Sequence, residues 1–271
     1  MNRRIIALGC LLSLTPSAHS QSFDTSPSRN LLSLSIGPSF PAGPFSSTNA
    51  SDNSSGYAKT GEAVNLSFIH EIHNGFGLTA LLLGQRNPLN TGALTRQLDG
   101  TGFEVNGSSR HYPNWTADKT SWFTGSLLVG ITKKILLGPD SRFSVAARAL
   151  VGAAHVQSPK ISANSKSDTS YAILTQNSGS AFAFSYLTGV GLFYHLRKHL
   201  SLLFGADYFA TTSASFKNST ATFATTTGGL NVPGVYSLSN SSQPIWAVTS
   251  TNTVKQPLGS INLHLGASFA F

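Results

Sequence analysis

The last eleven residues, Ile261 to Phe271, alternate without a break. Ile261, Leu263, Leu265, Ala267, Phe269 and Phe271 are apolar, and Asn262, His264, Gly266, Ser268 and Ala270 between them are small or polar. A period of two is the period of an extended strand, so the first set shares one face and the second set the other. A strand that is oily along the whole of one face has to cover that face, and the same pattern recurs along the chain.

Leu32, Leu34, Ile36 and Phe40 make a first strand, followed by a Pro-, Gly-, Ser- and Asn-rich loop over 41–62. Val64, Leu66, Phe68, His70 and Ile72 make a second, with Glu71 on the opposite face, and it meets Asn74-Gly75, the strongest short-range hairpin signal. Phe76 to Leu82 form the third strand, and a polar loop follows over 87–120. Phe123 to Ile131 form the fourth, turned at Gly138-Pro139-Asp140 into a fifth from Phe143 to Ala154. After a polar segment at about 157–180, Phe182 to Leu196 turn at Arg197-Lys198-His199 into a seventh strand, Leu200 to Tyr208. A Ser/Thr-rich excursion over 212–257, with enough β-formers to extend the last two strands as a hairpin, leads to the eighth.

Long and short connections therefore alternate strictly through eight strands. An even strand number with short turns at one end and long loops at the other is the signature of a single-chain transmembrane barrel. The aromatics sort by height on this plan. Phe76, Phe143, Tyr194 and Phe271 fall at the short-turn end of the outward face, and Phe40, Phe123, Phe184 and Tyr208 at the long-loop end, as paired interfacial girdles require. The expectation is an all-β fold: an eight-stranded antiparallel transmembrane β-barrel, an up-and-down meander with four long extracellular loops.

Composition agrees. Of 271 residues 40% are hydrophobic but only 10% charged, well short of the roughly one quarter usual in a soluble domain. The N-terminus carries Arg3 and Arg4, an apolar run from Ile5 to Leu14, and small residues at Ala18 and Ser20. This is a secretory signal over 1–20, too short in its apolar part to span a bilayer. A lipoprotein-type cleavage at Leu8-Gly9-Cys10 is the alternative there. The expected division is thus 1–20 signal peptide, 21–30 lead-in and 31–271 barrel. Cys10 is the sole cysteine, so the remainder has no disulfide and no thiolate chemistry. Loss of Arg3 and Arg4 lowers the formal charge from +8 to +6. The remaining basic groups gather at turns rather than in an aromatic-interleaved stripe, which argues against nucleic acid as a partner.

With strands and short motifs in place, the chain resembles the small outer-membrane β-barrels of Gram-negative bacteria, of the OmpA, OmpX and OmpW kind. The resemblance is architectural over the mature chain, and its first-loop elements read Pro41-Ala42-Gly43-Pro44-Phe45 and Gly56-Tyr57-Ala58-Lys59-Thr60-Gly61. It implies an outer-membrane location after export through the periplasm, and contact with outer-membrane lipid and lipopolysaccharide. It also implies insertion by the barrel-assembly machinery, which would read the terminal strand at Phe269 and Phe271.

Candidate chemistry is sparse. Glu71, Arg148, Asp207, His195 and His264 are expected to face the lumen, which in an eight-stranded barrel is just wide enough to be filled by side chains. Charges there have to pair, so a structural ion-pair network is expected, centred on Arg148 and Asp207, with a proton or solute path as the alternative. His111 and Asp118 could be enlisted with a serine for catalysis, but serine is so abundant that the pattern carries little weight, and no enzyme activity is expected. His70 and His73 lie three apart on a strand, hence on opposite faces, so no metal or cofactor is expected. Tyr112, Trp115, Tyr236 and Trp246 are candidates for exposed loop contacts, the alternative being that they cap their own loops. The expected role of a monomeric barrel of this kind is structural or surface-interacting. A narrow conduit for a small hydrophobic solute, as in OmpW-like barrels, is the second reading, and a soluble lipocalin-like carrier the third.

Overall fold

The computed structural model describes residues 30–49, 52, 54–105, 108–137, 142–166, 170–197, 199–227 and 245–271. The signal peptide and most of the lead-in expected from the sequence lie outside these residues.

Fifteen strands are described, and eight of them close a barrel. These are β1 (Asn30–Pro41), β2 (Gly61–His73), β3 (Phe76–Pro88), β7 (Ser121–Leu137), β8 (Phe143–Gln157), β11 (Ser180–Arg197), β12 (Leu200–Thr211) and β15 (Gly259–Ala270). Each pairs antiparallel with its neighbour in this sequence, and β1 pairs with β15 to close the ring. The row of partners through Asn65 reaches β11 at Ala183 in one direction and at Phe193 in the other. That stagger of ten residues tilts the strands against the barrel axis.

Alternation sets the two surfaces. Leu34, Ile36, Leu78, Leu82, Leu127, Ile131, Val190 and Leu265 are exposed on the outside, with Phe76, Phe143 and Phe271 at one end and Phe40, Phe123, Phe184 and Tyr208 at the other. A water-facing surface does not carry so continuous an apolar cover. A bilayer does accept it, which overturns the reading as a soluble carrier. Asn74 and Gly75 both have positive φ, 51° and 74°, as a two-residue hairpin whose twist matches its strands requires.

The long connections are more ordered than their polar composition suggests. The first holds a short 3₁₀ turn, Gly43–Ser46. The second holds helix α1 (Thr91–Gly100), β4 (Gly102–Val105), β5 (Ser108–His111) and β6 (Thr116–Ala117). Asn90 starts the helix by accepting a hydrogen bond from the Ala93 N–H. The third holds β9 (Ile161–Lys166) and β10 (Ser170–Gln176), and the fourth holds β13 (Ala214–Thr227) and β14 (Ile245–Gln256). Strands from three different loops join in one sheet, ordered β14-β13-β10-β9-β6. The hairpin expected over 212–257 is thus present as β13 and β14, and it is one part of a larger sheet.

Candidate functional site

The lumen holds both a polar lining and a compact apolar cluster. β1, β2 and β15 turn Ser33, Ser35, Ser39, Asn65, Ser67, Asn262, His264 and Ser268 inward, all buried. β3, β7, β8 and β11 turn in Leu81, Leu83, Leu128, Leu150, Ala154 and Leu187, also buried and packed in one cluster. The even alternation of polar inside and apolar outside is therefore modified by a leucine cluster within an otherwise largely polar interior.

Arg148 on β8, Asp207 on β12 and His264 on β15 meet in this lumen. Arg148 donates from Nε to Asp207 Oδ1 at 3.0 Å and from Nη2 to Oδ2 at 2.5 Å, the two-point geometry a planar guanidinium offers a carboxylate. His264 Nε2 lies 3.0 Å from Asp207 Oδ2 and 3.2 Å from Arg148 Nη2. The Asp207 side chain is wholly buried and that of Arg148 is 11% exposed. A lone carboxylate at this depth would carry a large desolvation cost, which the guanidinium offsets. Two glycines make the cluster possible. Gly189 lies between Arg148 and Asp207 as cross-strand partner of both, and a Cβ there would overlap Asp207 Oδ1. A Cβ on Gly205 would overlap the His264 ring. Alternation along β11 puts Gly189 in the lumen, but only the cross-strand register shows that its smallness makes room for the ion pair.

Glu71 and His195 stand apart from this cluster. Both strands bring them to the short-turn mouth, next to the Asn74-Gly75 and Arg197–His199 turns, so they sit rows below Asp207. His195 shares its ring nitrogens with Ser144 Oγ at 3.1 Å and Ser201 Oγ at 2.7 Å. Glu71 lines a cavity of about 10 Å³ with Lys134, Thr132 and Phe193, space for no more than a water. Lys134, expected at a turn, lies inside β7, because that strand runs on to Leu137.

Further polar bridges cross the interior. Gln85 donates to Ser260 Oγ and to Asn262 Oδ1, both at 2.9 Å. Thr79 and Thr132 hydroxyls meet at 2.6 Å, and Ser33 donates to Ser268 at 2.8 Å. The Gln85 bonds join β3 to β15, two strands that do not pair, while the Thr79–Thr132 and Ser33–Ser268 bonds reinforce strands already paired in the barrel wall.

The outer mouth is capped. Phe45 packs edge-on against Trp122 with centroids 5.7 Å apart, and Trp122 stands 6.0 Å from Phe216. Trp122 Nε1 donates to Gly56 O at 2.9 Å. Gly56 crosses directly over Phe45, where a Cβ would overlap the Phe45 backbone. Tyr57 donates to Gln97 on α1, and burial raises its phenol pKa above the ordinary value. The two first-loop elements quoted above are thus the two halves of one lid.

Two of the loop aromatics pack within the loop region rather than lie exposed. Tyr112 and Trp115 are 1% and 5% exposed. They pack with Leu98 of α1, Ala163 of β9 and Ala172 of β10 into a small core beneath the loop sheet. They are structural because β6 and β9 pair over them, a contact between loops that no local pattern announces. Trp246 lies on β14, and Tyr236 is outside the described residues. His111 is exposed at the end of β5, while Asp118 follows β6, its N–H bonded to Ser162 O. No hydrogen bond joins the His111 and Asp118 side chains among the described residues. Nor do three His, Cys, Asp or Glu side chains gather there as metal ligands.

A closed eight-stranded antiparallel barrel with an apolar outer belt, aromatic ends and long folded loops on one side is the architecture of the small outer-membrane β-barrels. No protein-family model matches the chain, and no curated protein sequence is similar to it. Among solved structures it is similar to Ail, the attachment invasion locus protein of Yersinia pestis, at 15% identity over 89% of this chain and 99% of that one, TM-score 0.37. A major outer membrane protein from Thermus thermophilus matches at 15% over 89% and 99%, TM-score 0.41. OprG from Pseudomonas aeruginosa matches at 9% over 89% and 96%, TM-score 0.35. Likenesses this distant concern the fold alone.

Proposed function

We propose that the protein is a non-enzymatic, non-conducting anchor in the outer membrane of a Gram-negative bacterium, and that it presents its loop sheet at the cell surface for contact. The observation that carries this reading is the unbroken column of buried side chains from Phe45, Trp122 and Phe216 at the outer mouth through Leu83, Leu128 and Leu187 in the lumen. A barrel so filled offers a solute no path, which weighs against the conduit. The exported location rests on the outer belt together with the signal-like residues 1–20. Lipopolysaccharide, surrounding lipid and the assembly machinery are the partners such a location supplies, and the barrel is complete as a single chain. Planar-bilayer recording on the refolded chain tests the reading: the expected result is no unit conductance, and stable single-channel steps would replace the anchor with the conduit.

A further inference from the structure

The outer face of β2, β3 and β7 carries a groove where the apolar belt should be full. Cross-strand register sets three rows there. Glu62, Arg86 and Phe123 form the outermost, Val64, Gly84 and Gly125 the next, and Leu66, Leu82 and Leu127 the third. Gly84 and Gly125 are direct partners, and no atom lies within 4 Å of a Cβ placed on either. Neither glycine is there to let another part of the protein approach. The result is a shallow, open trough floored by the two glycines and edged by Val64, Leu66, Leu82 and Leu127.

One row toward the loops stands a cation. The Arg86 guanidinium lies 5.7 Å above the Phe123 ring, and its contact with Glu62 is loose, 3.6 Å between two side chains each more than half exposed. An exposed pair of that kind is weak, so Arg86 keeps donors for another acceptor. Phe123 belongs to the outer aromatic girdle, so Arg86 sits at headgroup height with the groove directly below it in the hydrocarbon layer.

We infer that the groove seats one acyl chain of lipopolysaccharide's lipid anchor, with a phosphate of the same molecule held by Arg86. The order of chemistry along the strand, a cation that binds phosphate at two points and then an apolar trough, is the order of chemistry along an anionic lipid. A second copy of this chain would bring its own girdle to this height, leaving Arg86 facing aromatic rings and lipid rather than an anion. The inference rests on the outer-membrane placement proposed above, and it is independent of whether the lumen conducts.

The test is native mass spectrometry of the full chain, refolded in detergent with diphosphorylated lipid A, phosphatidylglycerol or phosphatidylcholine as the added probe. Gly125→Leu and Gly84→Leu fill the trough from open space without touching the fold, which heat-modifiable gel migration checks. Expected is one retained lipid A per barrel, with retention falling about tenfold in Arg86→Gln, the loss one charge-assisted contact implies, and falling similarly in either leucine variant. Equal retention in Gly125→Leu, equal retention of phosphatidylglycerol, or a parent dimer that Gly125→Leu splits into monomers would each overturn the lipid site. Loss of heat-modifiability in the parent would instead remove the membrane placement itself.

Discussion

Gly189 and Asp207 face each other across the β11–β12 pair, and the space that a side chain on Gly189 would fill is occupied by the Asp207 carboxylate. Arg148 reaches that carboxylate from β8 by passing over the same glycine. Gly189→Ala should therefore push Asp207 off its two-point contact and lower stability by about 2 kcal/mol or more. Gly191, one lumen position below, has as its tightest neighbour only the flexible end of Leu203, 3.2 Å from a Cβ, with the Phe193 ring at an ordinary 3.5 Å, and its alanine variant should be tolerated. Urea unfolding of both variants in detergent micelles checks this, and equal midpoints would count against the close-approach explanation.

The ion pair should behave asymmetrically. Arg148→Met leaves a buried carboxylate with only His264 beside it, and the expected loss is about 3 to 5 kcal/mol. Removing both charges as Arg148→Met with Asp207→Leu should recover most of that loss, because the cost lies in the unpaired charge more than in the missing attraction. A double-mutant cycle on unfolding midpoints measures the coupling. Additive single effects would mean that water, not Arg148, compensates Asp207.

How much of this was readable in advance depends on the range of the contacts involved. A period of two is a local property, so the lumen placement of Arg148, Asp207 and His264, the lipid placement of Leu265 and the turn at Asn74-Gly75 could be read directly. Lys134 reads as a turn residue, because Ile135, Leu136 and Leu137 break the alternation just where β7 continues. For Tyr112 and Trp115 the choice between exposed contact and packing on the loops stayed open for a different reason. What buries them is pairing between loops, Thr116 with Asn164 and Ala172 with Thr225, and such distant partners leave no periodic trace. Helix α1 did leave one, the Asn90 cap with Leu94 and Leu98 four apart on one face, masked by the polar residues around it.

The lid should be mechanically separate from the lumen filling. Phe45→Ala removes the ring that Trp122 packs on and leaves a cavity under Gly56, at an expected cost of about 3 kcal/mol. Leu81, Leu128 and Leu187 still fill the barrel below, so conductance should stay absent while the first loop loosens. Limited trypsin digestion of intact proteoliposomes reads this at the exposed Lys59, where cleavage should become faster in the variant. An unchanged digestion rate would mean that the loop is held by its backbone bonds, such as Ala58 N–H to Phe45 O, rather than by the ring.

Phe271 ties the first barrel strand to the last. The Phe271 N–H donates to Asn30 O at 3.0 Å, and the Asn30 N–H donates to Phe271 O at 3.3 Å, so the last residue forms the final rung of the seam that closes the barrel. Its ring stacks near Phe269 at 6.3 Å and stands 6.5 Å from Phe68. Deleting Phe271 removes that rung and ring but leaves the seam from Leu31 with Ala270 up to Pro41 with Ser260 intact. The refolded barrel should consequently lose only about 1 to 2 kcal/mol. If the assembly machinery recognises the terminal strand as the resemblance implies, the deletion should cost far more in cells, where the strand end has to be recognised before any seam exists. Comparing surface levels in cells with unfolding midpoints of refolded protein separates the two effects, and equal surface levels for parent and deletion would refute the role in assembly.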